Sequence, residues 1–296
     1  MKHNLLITLI ILGMFLLTQI FGLYLIHEGQ IPDFIKNENK EYKNISLFLN
    51  ILIAFVLAIV LFFFLIQYKW KFFIKLWFGM VIFLALAITF YSLFSIFFKE
   101  KDYILFYSFI MSIILTSLKI LRNSVVIHNL TEILIYVGVS LIFISFLNPL
   151  YVIIFLVMIS FYDMWAVWHS GIMQKMAKFQ MNEVKIFNGF FIPYLTKELK
   201  EKIKKAKENK IKYKKLKVPV AILGGGDVAF TLIPAGVFLV NYGLGSAIFV
   251  VLGGFFGLCY LMFFSEKKKF YPAMPFITLG IFISLFLYFF IIKLFL

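Results

Sequence analysis

The sequence predicts an all-α polytopic membrane protein with nine transmembrane helices, and three observations carry that prediction. Of the 296 residues, 63% are hydrophobic and 15% charged, whereas a soluble domain is about half apolar and a quarter charged. The apolar residues come in nine continuous runs rather than in alternation, and a helix needs about 20 of them to cross a bilayer. Mean hydropathy is +0.99 over the whole chain. A soluble enzyme, a disordered chain and a disulfide scaffold are thereby excluded. The sole cysteine, Cys259, forms no intrachain disulfide and no Cys-based metal site. The four histidines, His3, His27, His128 and His169, have no two at ligand spacing, so no metal and no cofactor is expected.

The runs fall at 5–26, 46–66, 74–98, 103–121, 129–147, 149–168, 218–240, 244–264 and 273–292. The first is too long for a signal-peptide core and lacks a small-x-small cleavage site, so it reads as a span. Asn148 and Pro149 alone separate the fifth from the sixth, a tight helix-breaking hairpin. With the N-terminus cytoplasmic, 23 of the 29 Lys and Arg residues lie in inside segments and 6 in outside ones, as the positive-inside rule requires. Trp70, Trp77, Trp165 and Trp168 then sit near cytoplasmic ends, where an interfacial belt places them. The expected orientation is N-terminus cytoplasmic, C-terminus external. The net charge of +15 follows from this topology rather than from nucleic acid.

One long connection divides the chain into a six-helix part (1–168), a basic cytoplasmic loop (169–217) and a three-helix part (218–296). The loop holds fourteen Lys and four Glu. Its second half, Lys197 to Lys217, reads as a partly helical charged stretch beside anionic headgroups. Its first half contains an apolar patch, Phe187 to Leu195, too short to span. That patch is either an interfacial anchor or a plug over whatever lies beneath it.

Acidic side chains inside a membrane are the informative exceptions, because each costs about 2.5–3.5 kcal/mol at mid-helix on insertion scales. Glu132 lies near the cytoplasmic end of the fifth span and can snorkel or cap there. Asp163, in Ser160-Phe-Tyr-Asp-Met-Trp165, and Asp227, in Leu223-Gly-Gly-Gly-Asp-Val-Ala229, are deeper. Counted at 1.5 Å per residue from their span ends, they lie about 8 and 13 Å below the cytoplasmic surface. Two carboxyls at one level on neighbouring antiparallel spans share a proton. Such a pair either activates water on an amide or relays protons and ions in a transporter. The residues Gly224, Gly225 and Gly226 weaken the helix and admit close approach of another backbone. Tyr162 either donates a hydrogen bond near the site or packs. Pro272 and Pro275 remove two backbone donors, so regular helix begins only near Pro275 and leaves polar backbone at the same depth. Gly253 and Gly257 form a G-x-x-x-G, a close helix contact.

Tyr162-Asp163, Gly224-x-Gly226-Asp227 and Pro272-Ala273-Met274, in that order, resemble the presenilin and signal peptide peptidase family of GxGD intramembrane aspartyl proteases. The likeness is closest to archaeal presenilin-type homologues and is clear over 162–296. The resemblance implies that Asp163 and Asp227 are the catalytic pair and that Pro272, Ala273 and Met274 shape the substrate groove. Met274 stands where the family usually has Leu, a swap expected to alter specificity at most. Preflagellin and prepilin peptidases also carry a GxGD but lack the Pro-Ala-Leu-like element.

The expected activity is therefore hydrolysis of peptide bonds within transmembrane segments, in a prokaryotic, archaeal-type cytoplasmic membrane. Expected partners are the transmembrane helices of substrate proteins and the lipid bilayer, with no nucleic acid; assembly into a homo-oligomer is left open. The alternating stretch Tyr213 to Val218 is a candidate strand for an unwound substrate to pair with. The competing reading is a proton- or ion-coupled transporter. Against it, no internal repeat is visible and every special feature lies after residue 160. A scaffold leaves both buried acids unexplained.

Overall fold

The computed structural model describes residues 5–32, 45–68, 70–122, 124–169, 188–194, 219–265 and 271–295. Nine helices are described: α1 (Leu5–Glu28), α2 (Ile45–Gln67), α3 (Lys71–Phe97), α4 (Lys101–Leu121), α5 (Val125–Phe146), α6 (Pro149–Trp168), α7 (Gly225–Tyr242), α8 (Leu244–Phe264) and α9 (Met274–Phe295). Eight of them, all but α2, are long and apolar enough to cross a membrane over their described residues. Exposed leucine, isoleucine and phenylalanine cover the outer faces of the bundle, the inverse of a soluble surface and the correct solvent match for lipid.

Local chemistry explains the helix boundaries. Asn148 caps α6 by accepting a hydrogen bond from the Tyr151 amide at 2.8 Å, and Pro149 occupies the first helical position, where a missing N–H costs nothing. Between α7 and α8 stands one residue, Gly243, with φ of 86°. Only glycine adopts that conformation without strain, so the chain reverses there in a single step. α7 is the most enclosed span, with 67% of its apolar window buried against 17–50% for the other seven. It packs against α1, α5, α6 and α8, which places the Asp227 helix at the centre of the bundle.

The expected close contact of α8 is present. A Cβ on Gly253 would fall against the Gly280 carbonyl, and one on Gly257 against the Phe276 carbonyl and 2.9 Å from the Ile277 Cα. The backbones of α8 and α9 are therefore nearly in contact, as small residues permit in lipid.

Two expectations are corrected. The seventh span was expected to run as helix from residue 218; instead Val220–Gly224 is an extended strand, β2, and helix begins at Gly225. The strand forms because the apolar patch of the long loop supplies a partner. Gly189–Pro193, β1, pairs antiparallel with it, in the register Gly189↔Gly224 to Pro193↔Val220. That patch is thus a strand; Asn129 of α5 holds its outer edge, bonding both the N–H and the carbonyl of Phe191 at 2.9 and 2.8 Å. Glu132 neither snorkels nor caps. It lies about two turns inside α5, fully buried, paired with Lys119 of α4. Both side chains are enclosed between helices, so neither can reach water and each neutralises the other. The basic stretch Lys197 to Lys217 and the candidate strand Tyr213 to Val218 lie outside the described residues.

Candidate active site

Asp163 lies on the face of α6 that also buries Phe155, Leu156, Ile159 and Ala166, and it is only 8% exposed. A carboxyl so enclosed needs donors, and α9 provides them. Pro272 forbids helix upstream, so α9 begins at Met274 and its first amides have no intrahelical acceptor. The Met274 N–H donates to Asp163 Oδ2 at 3.0 Å, and the Ala273 N–H also donates to the carboxyl. The amides at the start of α9 that lack an intrahelical acceptor thus meet a carboxyl at the helix N-terminus, where the helix dipole favours negative charge. Pro272 and Met274 are buried beneath this contact. One turn away on each helix, the Ser160 and Thr278 hydroxyls hydrogen-bond at 2.8 Å and tie α6 to α9.

Asp227 sits in the first turn of α7, not nine residues into a helix. Gly224 ends β2 and caps α7 in extended conformation, with φ of −61° and ψ of 139°. The Asp227 carboxyl accepts from the Gly224 amide, the side-chain-to-backbone half of a capping box. The glycine triplet is thus the joint at which strand becomes helix, and each glycine does something different. A Cβ on Gly224 would lie 3.1 Å from Asp227 Oδ2, one on Gly225 would lie 2.6 Å from the Tyr136 hydroxyl, and one on Gly226 would rest 3.4 Å from the Phe230 ring. Gly226 is exposed.

The two carboxyls come within electrostatic range of each other, brought from adjacent helices that the sequence separates by 64 positions. Tyr162 is half-buried, stands within electrostatic range of Asp163 and has its ring 6.4 Å from that of Trp165. Among the described residues no hydrogen bond joins its hydroxyl to either aspartate, so packing is the role its position supports. Among the described residues no group of three His, Cys, Asp or Glu side chains is placed to hold a metal ion.

β2 is an edge strand. Phe191 turns its N–H and carbonyl away from β2 toward Asn129, while the Tyr194 N–H bonds the Pro219 carbonyl at 3.1 Å. By the alternation of an antiparallel pair, Ala221 and Leu223 face β1 and the backbone groups of Val220 and Ile222 face outward. Among the described residues nothing pairs with them.

Several contributors escaped sequence reasoning. Tyr136 reaches the Gly225 junction from α5, Gln19 of α1 donates to the Val228 carbonyl at 3.0 Å, and Ser160 and Thr278 join the two site helices. Their separation along the chain hides them; only the polarity of Gln19, Ser160 and Thr278 inside apolar runs gave any signal.

The family described as signal-peptide peptidase, presenilin aspartyl protease matches residues 12–294. Two solved structures of a presenilin family intramembrane aspartate protease, one in a C222 and one in a P2 space group, share the fold. The first is 18% identical with a TM-score of 0.57, covering 94% of each chain. The second is 19% identical with a TM-score of 0.61, covering 94% of this chain and 95% of the other. No curated protein matches.

Proposed function

The chain belongs to the signal-peptide peptidase and presenilin aspartyl protease family, an intramembrane aspartyl protease by descent, and from that premise we propose how its own residues cut. Asp163 and Asp227 act as the catalytic dyad on peptide bonds within the transmembrane segments of substrate proteins. The observation that carries this reading is the convergence of two carboxyls, in electrostatic range and each addressed by backbone amides, at the α6–α7–α9 junction.

Two acids in mutual electrostatic range resist ionising together, and in this reading the dyad holds one proton between them. The ionised one takes a proton from water as the oxygen attacks the scissile carbonyl carbon; the protonated one gives its proton to the carbonyl oxygen. The resulting gem-diol collapses, breaking the C–N bond as the amine takes up a proton, and the dyad returns to its starting state. The Ala273 and Met274 amides fix the Asp163 carboxyl, and the Gly224 amide fixes that of Asp227, so neither must be reoriented during the reaction. A substrate helix hides its amides in internal hydrogen bonds, so it must unwind first. The outward edge of β2, ending three residues before Asp227, offers the unwound segment backbone partners at Val220 and Ile222. The N-terminus is taken as cytoplasmic and the C-terminus as external.

The test is incubation of the purified protein with a helical single-span substrate, comparing wild type with Asp163→Ala and Asp227→Ala. Both variants are expected to leave the substrate intact. Retained cleavage in either single variant would overturn the dyad.

A further inference from the structure

Ionisable side chains that the dyad chemistry does not use are gathered beside α7. Lys119 and Glu132 form an ion pair with side chains 3% and 0% exposed. His128, one turn before Glu132, lies 3.7 Å from the same carboxylate oxygen and bonds the Gly189 carbonyl of β1 at 2.8 Å. Tyr136, one turn after Glu132 on the same face of α5, is buried next to that carboxylate and within electrostatic range of Asp227. Its hydroxyl and Glu132 Oε2 are both buried, with no other partner among the described residues, and the hydroxyl is directed at the Glu132 carboxylate.

A hydroxyl buried against a carboxylate inside the bundle costs desolvation that an apolar side chain avoids, so the pair calls for a reason. The position of the hydroxyl supplies one. It rests on Gly225, the first residue of α7 and two before Asp227; a Cβ there would lie only 2.6 Å from it. The ring meets Phe190 of β1 edge-on at 5.5 Å, opposite Leu223 in the sheet. Tyr136 therefore touches both the sheet and the helix whose junction aims Asp227. A phenylalanine would fill the same space without burying a hydroxyl, so packing alone does not account for tyrosine.

We propose that Tyr136 is a positioning residue for Asp227: its hydroxyl, oriented by Glu132 and through it by Lys119 and His128, holds the Gly224–Gly225 junction so that the Asp227 carboxyl faces Asp163. The inference rests on the protease reading and adds α5 to its machinery. Among the described residues, the charged or titratable groups facing the hydroxyl are Glu132 with its partners Lys119 from α4 and His128 from α5, and Asp227 from α7; β1 contributes the Gly189 carbonyl, through His128.

Tyr136→Phe and Glu132→Gln test it, since both preserve side-chain shape. Initial rates are measured against substrate concentration over a pH series, alongside helical circular dichroism of each variant. Both variants are expected to remain helical, Glu132→Gln with a lower melting temperature because Lys119 loses its charged partner, and to hold KM within about twofold while kcat per folded protein falls about tenfold or more, with an altered shape of the kcat–pH profile. Gly225→Ala, which pushes the hydroxyl away, is expected to lower kcat in the same way, and its combination with Tyr136→Phe to cost less than the two effects added. A Tyr136→Phe enzyme with wild-type kcat overturns the proposal, as does a loss of kcat that merely tracks loss of folded protein. Wild-type protein no more active than Asp163→Ala and Asp227→Ala would instead strike the protease reading itself.

Discussion

Replacing Gly257 with alanine inserts one methyl group where α8 crosses the first turn of α9. The new Cβ would fall against the Phe276 carbonyl oxygen, 2.8 Å from its carbon and 2.9 Å from the Ile277 Cα, all of them backbone atoms. Ordinary contact begins at 3.4 Å, so α9 must recede by about 0.5–1 Å, because backbone in a close-packed bundle has no rotamer to escape into. Two residues upstream of Phe276, the Met274 amide holds Asp163 Oδ2 at 3.0 Å. A shift of that size carries the pair to the edge of hydrogen-bonding distance or past it, and a hydrogen bond to a charged group is worth about 1.5–3 kcal/mol. Misplacement of a reacting group by 1 Å costs about 100-fold in rate. Cleavage of a single-span substrate, followed by gel mobility at several concentrations, is therefore expected to show kcat/KM lower by about 10- to 100-fold. Gly13→Ala is the control, since nothing lies within 4 Å of a Cβ there; that variant is expected to match wild type. Equal activity in the two variants would refute the argument that α8 sets the position of the amides that hold Asp163.

Three further outcomes are expected. Asn129→Ala removes both hydrogen bonds to Phe191, at about 1–3 kcal/mol for the exposed strand edge, and speeds hydrogen exchange of the β1 and β2 amides ahead of those of α7. Ile222→Pro deletes a donor that faces away from β1, so the protein stays folded by circular dichroism while substrate cleavage slows several-fold; unchanged turnover would remove β2 from substrate binding. Lys119→Leu leaves Glu132 buried without its partner and lowers stability by about 3–5 kcal/mol; the double variant Lys119→Leu/Glu132→Leu is expected to recover most of that loss in thermal melts. A single variant no worse than the double would show that the buried charge finds another neighbour.

The nine apolar runs met the nine described helices, with ends within a few residues wherever a local signal existed. Asn148-Pro149 opened α6, and the paired prolines delayed α9 to Met274. The failure at residues 218–224 is instructive. Val-Pro-Val-Ala-Ile-Leu is apolar enough for either a helix or a strand, and the partner that selects the strand, Gly189–Pro193, lies in a loop the sequence presents only as a short apolar patch. Glu132 was misplaced for the same reason. Nothing near it in the chain announces that Lys119, thirteen residues earlier, reaches it across a helix interface.

What the amino-acid order decided alone is whatever depends on neighbours along the chain: length of apolar run, breakage at proline and glycine, and the presence of two acids that lipid would not tolerate idly. Asp163, Asp227 and the Pro272–Met274 element stood out as candidates for that reason. Only the folded bundle decided which backbone amides satisfy each carboxyl, and that β2 delivers Asp227 at the first turn of α7. It also decided that Tyr136 stands beneath the glycine joint. Those relations join residues tens of positions apart through packing of whole helices, and packing is a property of shape in three dimensions that no local pattern encodes.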